Sequence, residues 1–197
     1  MNVKSRKQAQ SDATRSELIS VARRLFASKG YSDTGTEEIV QNAGVTRGAL
    51  YHHFRDKEAL FEAVFEQVEQ EFVQKLVQAS ASPDPWQGLK NGAQAFLDEC
   101  LNPEIQQIVL LDAPSALGWQ RWRELDAKYG LGLVRAALHA AIESGIIERQ
   151  PVDPLAHMLL GALTEAAMLI ARADNIAETR REVGESVDRL LESLRVN

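Results

Sequence analysis

At 197 residues, with 45% hydrophobic and 25% charged side chains, the chain has enough apolar material for one ordinary domain, or for a small module joined to a larger one. No apolar run approaches the roughly 18 residues of a membrane span, the polar start MNVKSRKQAQSDATRS lacks the apolar segment of a secretory leader, and the single cysteine, Cys100, excludes a disulfide framework. The net charge of −6 conceals an asymmetry: residues 1–60 hold ten Lys/Arg against seven Asp/Glu, so a basic front stands on an acidic body.

Residues 1–13, with Lys4, Arg6 and Lys7, read as a flexible basic arm able to trail along a polyanion without specificity. Thr14-x-x-Glu17 matches a capping box ahead of the stripe Leu18, Ile19, Ala22, Leu25 and Phe26, which predicts a first helix over 14–29 with Gly30 as its stop. Thr36, followed by Glu37 and Glu38, predicts the cap of a short second helix ending near Ala43. Gly44 turns the chain, and Thr46 caps a third helix to residue 53. Asp56 caps a fourth, whose Leu60, Phe61, Val64, Phe65, Val68, Phe72, Leu76 and Val77 keep the helical period to about Ala79. Asp84-Pro85 starts a fifth helix carrying Trp86, Leu89, Phe96 and Leu97, and Pro103 and Pro114 bracket a short sixth. A longer one runs from Trp119 to Ser144 and ends at Gly145. Asp153-Pro154 repeats the cap-then-proline start for a helix to about Ala173, and the last spans about 176–194. With no alternating stretch long enough for a strand, the chain is predicted all-α, with about nine helices: an arm over 1–13, a three-helix unit over 14–57, and a helical body over 58–197.

Two short helices joined by a glycine turn, 36–43 and 46–53, form a helix-turn-helix pattern, in which the second helix enters a DNA major groove. Helical spacing sends Leu50 and Phe54 inward and leaves Gly48, Tyr51 and His52 on another face with Arg47 at its edge. His53 falls between these faces as a half-buried packing residue. A glycine inside a seven-residue helix costs about 1 kcal/mol against alanine, which is rational where backbone must approach a duplex closely. Thr36 and Thr46 offer hydroxyls at helix starts to phosphate, Arg47 matches guanine O6 and N7, Tyr51 and His52 can donate to phosphate oxygens, and Lys57 supplies a further cation.

The segment from Leu18 to Phe65, above all TEEIVQNAGVTRGALYHHFRDKEALFEAVF, resembles the N-terminal DNA-binding domain of the tetracycline-repressor (TetR) family of bacterial transcription regulators. The resemblance runs without a gap through Phe26, Gly30, Tyr31, Thr36, Gly44, Gly48, Leu50, Tyr51, Phe54, Lys57 and Phe61. It implies that the family's DNA-contacting positions fall on Thr36, Thr46, Arg47, Gly48, Ala49, Tyr51, His52 and Lys57. Ala49 departs from the polar residue that relatives often carry, and an alanine there can touch only a thymine methyl.

For the body, the resemblance implies an all-helical regulatory domain that dimerises through its last two helices, about 154–173 and 176–194, and holds an effector cavity. The short turn between those helices makes them antiparallel, and Gly161, Ala162, Ala166, Ala167 and Ala171 allow close approach of a second hairpin. A cavity lined by Trp86, Phe96, Trp119, Trp122, Met158 and Met168, with Arg123, His157 and Glu165 as polar handles, is the expected site of a small, mainly apolar effector; the same aromatics also read as plain core. The resulting expectation is a cytoplasmic bacterial homodimer, on the nucleoid when DNA-bound, that represses from a palindromic operator without cofactor or metal. Two rival functions have weaker support in the residues. An enzyme would need more than His139 and Glu143, four apart on one helix, or the two glycines of YGLGLV, which no strand precedes. A helical protein-interaction module would use the first 60 residues for a protein partner, and its binding would be insensitive to salt.

Overall fold

The computed structural model describes the backbone of residues 3–196 and side-chain surroundings from residue 7 onward. α1 spans Val3–Asp33 and starts well ahead of residue 14. The Thr14 hydroxyl donates to the Gln10 carbonyl 3.0 Å away, as a threonine inside a helix does, so the Thr14–Glu17 pattern is not a cap. The stretch expected as an arm is therefore helical from residue 3; Lys7 is exposed, and the side chains of Lys4 and Arg6 lie outside the described residues. Gly30 does break the helix, at φ 81 and ψ 167, a conformation essentially reserved for glycine, before a last turn to Asp33.

α2 (Thr36–Asn42) is capped by Gly35 and not by Thr36, which is its first helical residue and makes no side-chain cap bond. Gly44, at φ 64, makes the turn to α3 (Arg47–His53), where the Thr46 hydroxyl accepts the Ala49 N–H at 3.2 Å. Asp56 accepts the Ala59 N–H at 2.7 Å and starts α4 (Lys57–Ala79) as predicted, although Val77, in its last turn, is exposed and not part of the buried stripe. Leu18, Ala22, Phe26, Ile39, Leu50 and Phe61, all fully buried, form the core of this three-helix unit together with the front of α4. Edge-to-face contact of Phe61 with Phe26 (5.2 Å) and Tyr31 (5.0 Å) fixes the end of α1 on α4; such pairs contribute about 0.5–1.5 kcal/mol each beyond area burial.

α5 (Pro85–Glu99) begins behind its Asp84 cap with proline in the first turn. The next segment differs from the expectation: α6 is one continuous run over 103–116, made of a turn at Pro103–Ile105, a π-helical stretch at Gln106–Asp112 and a final turn at Ala113–Ala116. Pro114 lies inside its last turn and not beyond its end, a place where a missing N–H is tolerated. α7 (Trp119–Glu143) ends at Gly145, φ 71. α8 (Val152–Ala171) starts after Pro151 without a side-chain cap; Asp153 sits in its first turn and pairs with Arg135 at 2.7 Å. Asn175 caps α9 (Ile176–Glu192).

The nine helices among the described residues are joined by no strand, only by one antiparallel bridge between Ile147 and Arg195 that ties the chain end to the α7–α8 loop. In the body α4, α5, α7 and α8 surround one core, and α9 lies on α5 and α8, held by Arg180 to Asp98 and by Gln94 to Asp188. α8 is, by length and composition, apolar enough to cross a membrane, contrary to the expectation that no such run exists; ten of its residues are instead buried within the protein.

Candidate functional site

α3 presents two chemically different faces. Leu50 (0% exposed) and Phe54 (4%) anchor it to the three-helix core, whereas Arg47, Gly48, Tyr51 (41%) and His52 are exposed on the outer side. Ala49 is half-buried, and so is His53, whose ring stands 6.5 Å from that of Phe54. The Thr46 cap holds the first turn rigidly, and beside it the Arg47 guanidinium lies over the Tyr51 ring, 5.5 Å from its centroid. A side chain at Gly48 would meet only the Thr46 hydroxyl, 3.8 Å from its Cβ, so the glycine keeps backbone open to the outside and not to a neighbouring helix. The face is therefore a cation, a phenol and an imidazole around a bare patch of backbone, which is what close docking to a duplex requires.

Thr36 is half-buried at the front of α2, and Lys57 is half-buried at the front of α4. Lys57 is less free than its sequence position suggests: its ammonium sits 4.1 Å from the centroid of the Tyr31 ring. Burial lowers its pKa, opposed by the nearby Asp112 carboxylate. By contrast Arg55, between the two, is tied to Asp56 at 3.0 Å.

The unit is fastened to the body by polar contacts that the sequence did not disclose. Arg23 of α1 binds Glu71 of α4 at 2.7 Å and Glu104 of α6 at 2.8 Å, and both hydrogen bonds hold its guanidinium firmly protonated. Arg121 of α7 reaches Glu62 of α4 at 2.5 Å. At the Gly30 break the Tyr31 N–H donates to the Asp112 carboxylate at 2.7 Å, and a Cβ on Gly30 would come within 3.1 Å of the Gln107 amide.

Inside the body, between α4, α5, α7 and α8, lies a cavity of about 60 Å³ with an almost wholly apolar wall. Of the residues expected to line it, Phe96 does. Trp86 (7% exposed), Trp122 (1%) and Met168 (8%) are buried elsewhere, whereas Trp119 (64%) and Met158 (65%) are on the surface, as are His157 and Glu165. Arg123 takes part only through Asp126, which it binds at 2.6 Å and which does face the cavity. A residue of the wall that the sequence analysis does not single out is Glu69, 3% exposed. Its signal was present: it stands four residues after Phe65 and three before Phe72, an acid in the middle of an apolar stripe. Cys100 is buried, as expected of a lone thiol, and burial raises its pKa.

Comparison with known proteins agrees with both halves of this arrangement. The pattern of bacterial regulatory proteins of the tetR family matches residues 18–64, and that of the tetracyclin repressor-like C-terminal domain matches residues 86–194. The Transposon Tn10 TetC protein of Escherichia coli is 26% identical over 194 residues, covering 95% of this chain and 93% of that protein. The probable acrEF/envCD operon repressor of Escherichia coli K12 is 39% identical over 87 residues, which span 43% of this chain and 40% of the relative. Among solved structures, a TetR-family transcriptional regulator from Pectobacterium atrosepticum superposes with a TM-score of 0.87 at 33% identity, covering 96% of this chain and 97% of that one. With its helix-turn-helix unit and its body both matched, the chain belongs to the TetR family of transcription regulators, proteins that bind DNA and are not enzymes.

Proposed function

We propose that this chain is a homodimeric repressor, in which residues 14–57 read a palindromic operator, residues 58–197 set the spacing of two reading units, and a small, mainly apolar effector releases the DNA. The observation that carries the reading is the outer face of α3, where Arg47, Gly48, Tyr51 and His52 are all exposed while Leu50 and Phe54 hold the helix down. Arg47 reads a base edge, Thr46, Tyr51, His52 and Thr36 fix the backbone register, Ala49 admits a thymine methyl, and Lys57 adds a phosphate contact. The relative named as an operon repressor supports the sign of the regulation. Such a protein works in the bacterial cytoplasm, on the nucleoid when bound.

The partner surface is the α8–α9 hairpin. Met158 (65% exposed), Leu169 (55%) and Leu190 (45%) give it an apolar face that a monomer has no reason to leave in water. Gly161 and Ala162 are half-buried on α8, and a Cβ at Gly161 would meet nothing within 4 Å, whereas Ala166 and Ala167 are already used inside the chain. Two hairpins stacked about a twofold axis make a four-helix bundle, and place two α3 helices for half-sites about one DNA turn apart.

Solved structures of the same fold include RolR in complex with resorcinol and FadR of Bacillus subtilis in complex with stearoyl-CoA, and the cavity between α4, α5, α7 and α8 is the effector site in this reading. α4 carries both ends of the coupling: Lys57 at the reading unit, and Glu69, Phe72 and Leu76 on the cavity wall. An occupant that favours a wider cavity tilts α4 and misplaces the two reading units, and DNA affinity falls by the same factor as effector affinity falls on DNA. Selection from a random duplex pool tests the proposal: it predicts an enriched palindrome, and a pool that stays unenriched overturns it.

A further inference from the structure

Glu69 is the anomaly of the cavity. Its carboxyl is buried in a wall built from Phe72, Phe96, Leu133, Leu160 and similar side chains. Among the described residues it has no hydrogen-bond partner and no cation; the second acid of the cavity, Asp126, has Arg123 at 2.6 Å, but Glu69 has only Asp126 as a charged neighbour. An unpartnered buried carboxyl costs several kcal/mol as a charge, so it stays neutral until something cationic arrives. Burial first, and then the Asp126 charge, push its pKa up to about 8. The groups around it are few. Asp126 with Arg123 faces it from α7, the Cys100 thiol stands at the end of α5 with Glu99 and, from α9, Arg180 near it, the latter bound to Asp98 and Gln94, and α8 contributes only Leu159, Leu160 and Leu163 to the wall.

The remaining walls favour positive charge too. The rings of Phe72 and Phe96, centroids 5.4 Å apart, both border the space, and aromatic faces attract a desolvated cation. Among the described residues no Lys, Arg or His lines the cavity to balance an anionic ligand. We infer that the effector site takes a lipophilic organic ammonium, its compact charged head against Glu69 and its apolar body against Phe72, Phe96 and Leu133; this rests on the reading of the cavity as the effector site. The space of about 60 Å³ is smaller than such a ligand, so binding goes with the widening of the cavity that the effector reading already requires, and a compact head, such as a methylated or primary ammonium, keeps that widening small. On binding, the carboxyl O–H of Glu69 breaks, its proton passes to solvent, and the carboxylate left behind neutralises the ligand.

The test uses the full-length protein and a pair of probes of one shape: benzyltrimethylammonium, whose charge does not titrate, and its uncharged analogue neopentylbenzene. Calorimetry at pH 7 in two buffers of different ionisation enthalpy is expected to show the cation binding with release of close to one proton, and its affinity rising up to tenfold per pH unit toward pH 8. Glu69→Gln is expected to weaken the cation at least tenfold and to leave the neutral analogue unchanged or tighter. The proton count is read on the unmodified protein, so it holds even if the variant does not fold. Equal or tighter binding of the neutral analogue to the unmodified protein, or cation binding without proton release, overturns the inference and leaves the effector site standing. Failure of both probes to bind overturns the inference and the cavity reading together.

Discussion

The Asp112 carboxylate accepts the backbone N–H of Tyr31 at 2.7 Å, which joins the end of the π-helical turn in α6 to the residue just past the Gly30 break. One side of this bond belongs to the body and the other to the helix that carries the reading unit. Asp112→Ala removes the acceptor and leaves a half-buried N–H unpaired, at an expected cost of about 1–3 kcal/mol. Asp112→Asn keeps an acceptor oxygen and restores part of that loss. Urea denaturation of the two variants checks the order; equal stability of wild type and Asp112→Ala would show that the bond contributes nothing.

Gly30 and Gly44 both have positive φ, but they should not tolerate alanine equally. Gly30, at φ 81 and ψ 167, is in a region closed to side chains, and its Cβ would crowd the Gln107 amide at 3.1 Å; Gly44, at φ 64, has nothing within 4 Å. Gly30→Ala is expected to destabilise by roughly 1–3 kcal/mol and Gly44→Ala by about 1 kcal/mol. Thermal or chemical unfolding of the pair measures the difference, and a reversed order contradicts the account of the Gly30 break.

Arg47 and Lys57 are expected to act differently on DNA. Arg47→Ala should weaken the selected operator by about 1–3 kcal/mol and relax the preference at one base position. Lys57→Ala should lower affinity evenly across sequences and make the salt dependence shallower by about one contact, with some loss of stability because its ammonium also lies on the Tyr31 ring. Fluorescence anisotropy on operator and scrambled duplexes separates the two patterns.

How much of this was legible before the structure depended on whether a residue's job is local. The α3 face was readable because Thr46, Gly44 and the spacing of Leu50 and Phe54 act within one turn of each other. The start of α1 was not, since KSRKQAQSDATR has no apolar stripe to reveal a helix that continues one already nucleated by Leu18 to Phe26. α6 was obscured by its composition: Ile108, Val109 and Leu110 are all buried, so no polar face marks the period, and Pro114 looked like an end. The cavity needed tertiary knowledge. Tryptophans such as Trp122 are drawn into core whether or not a ligand exists, while Glu69, which no ordinary core would choose, was the informative residue.

Stability should fall as pH rises through the neutral range. Glu69, raised from 4.5 to about 8, holds a proton in the folded protein that the unfolded chain gives up above its ordinary pKa; this stabilisation is complete below about 4.5 and lost by about 8. Asp126, raised from 3.8 to about 6 mainly by burial, adds the same sign over its own lower window. Each group contributes up to about 1.4 kcal/mol per pH unit within its window. Glu69→Gln should flatten the decline between pH 6 and 8, as read by urea midpoints; a profile identical to wild type would contradict the burial of this acid.

The hairpin surface gives a further outcome. Met158→Glu with Leu169→Glu places two charges on the exposed apolar face of α8 and should convert a dimer to a monomer without unfolding it. Sedimentation velocity with circular dichroism reads both quantities. A double variant that sediments as wild type places the partner surface elsewhere.

The central claim is that the outer face of α3 docks in a duplex, and the most direct measurement is the salt dependence of operator binding by wild type and Arg47→Ala. The account predicts that log K falls steeply and linearly with log salt for wild type, and that Arg47→Ala lowers K at every salt concentration while narrowing the gap between operator and scrambled DNA. Binding that ignores salt, or that is indifferent to Arg47 on both duplexes, would contradict it.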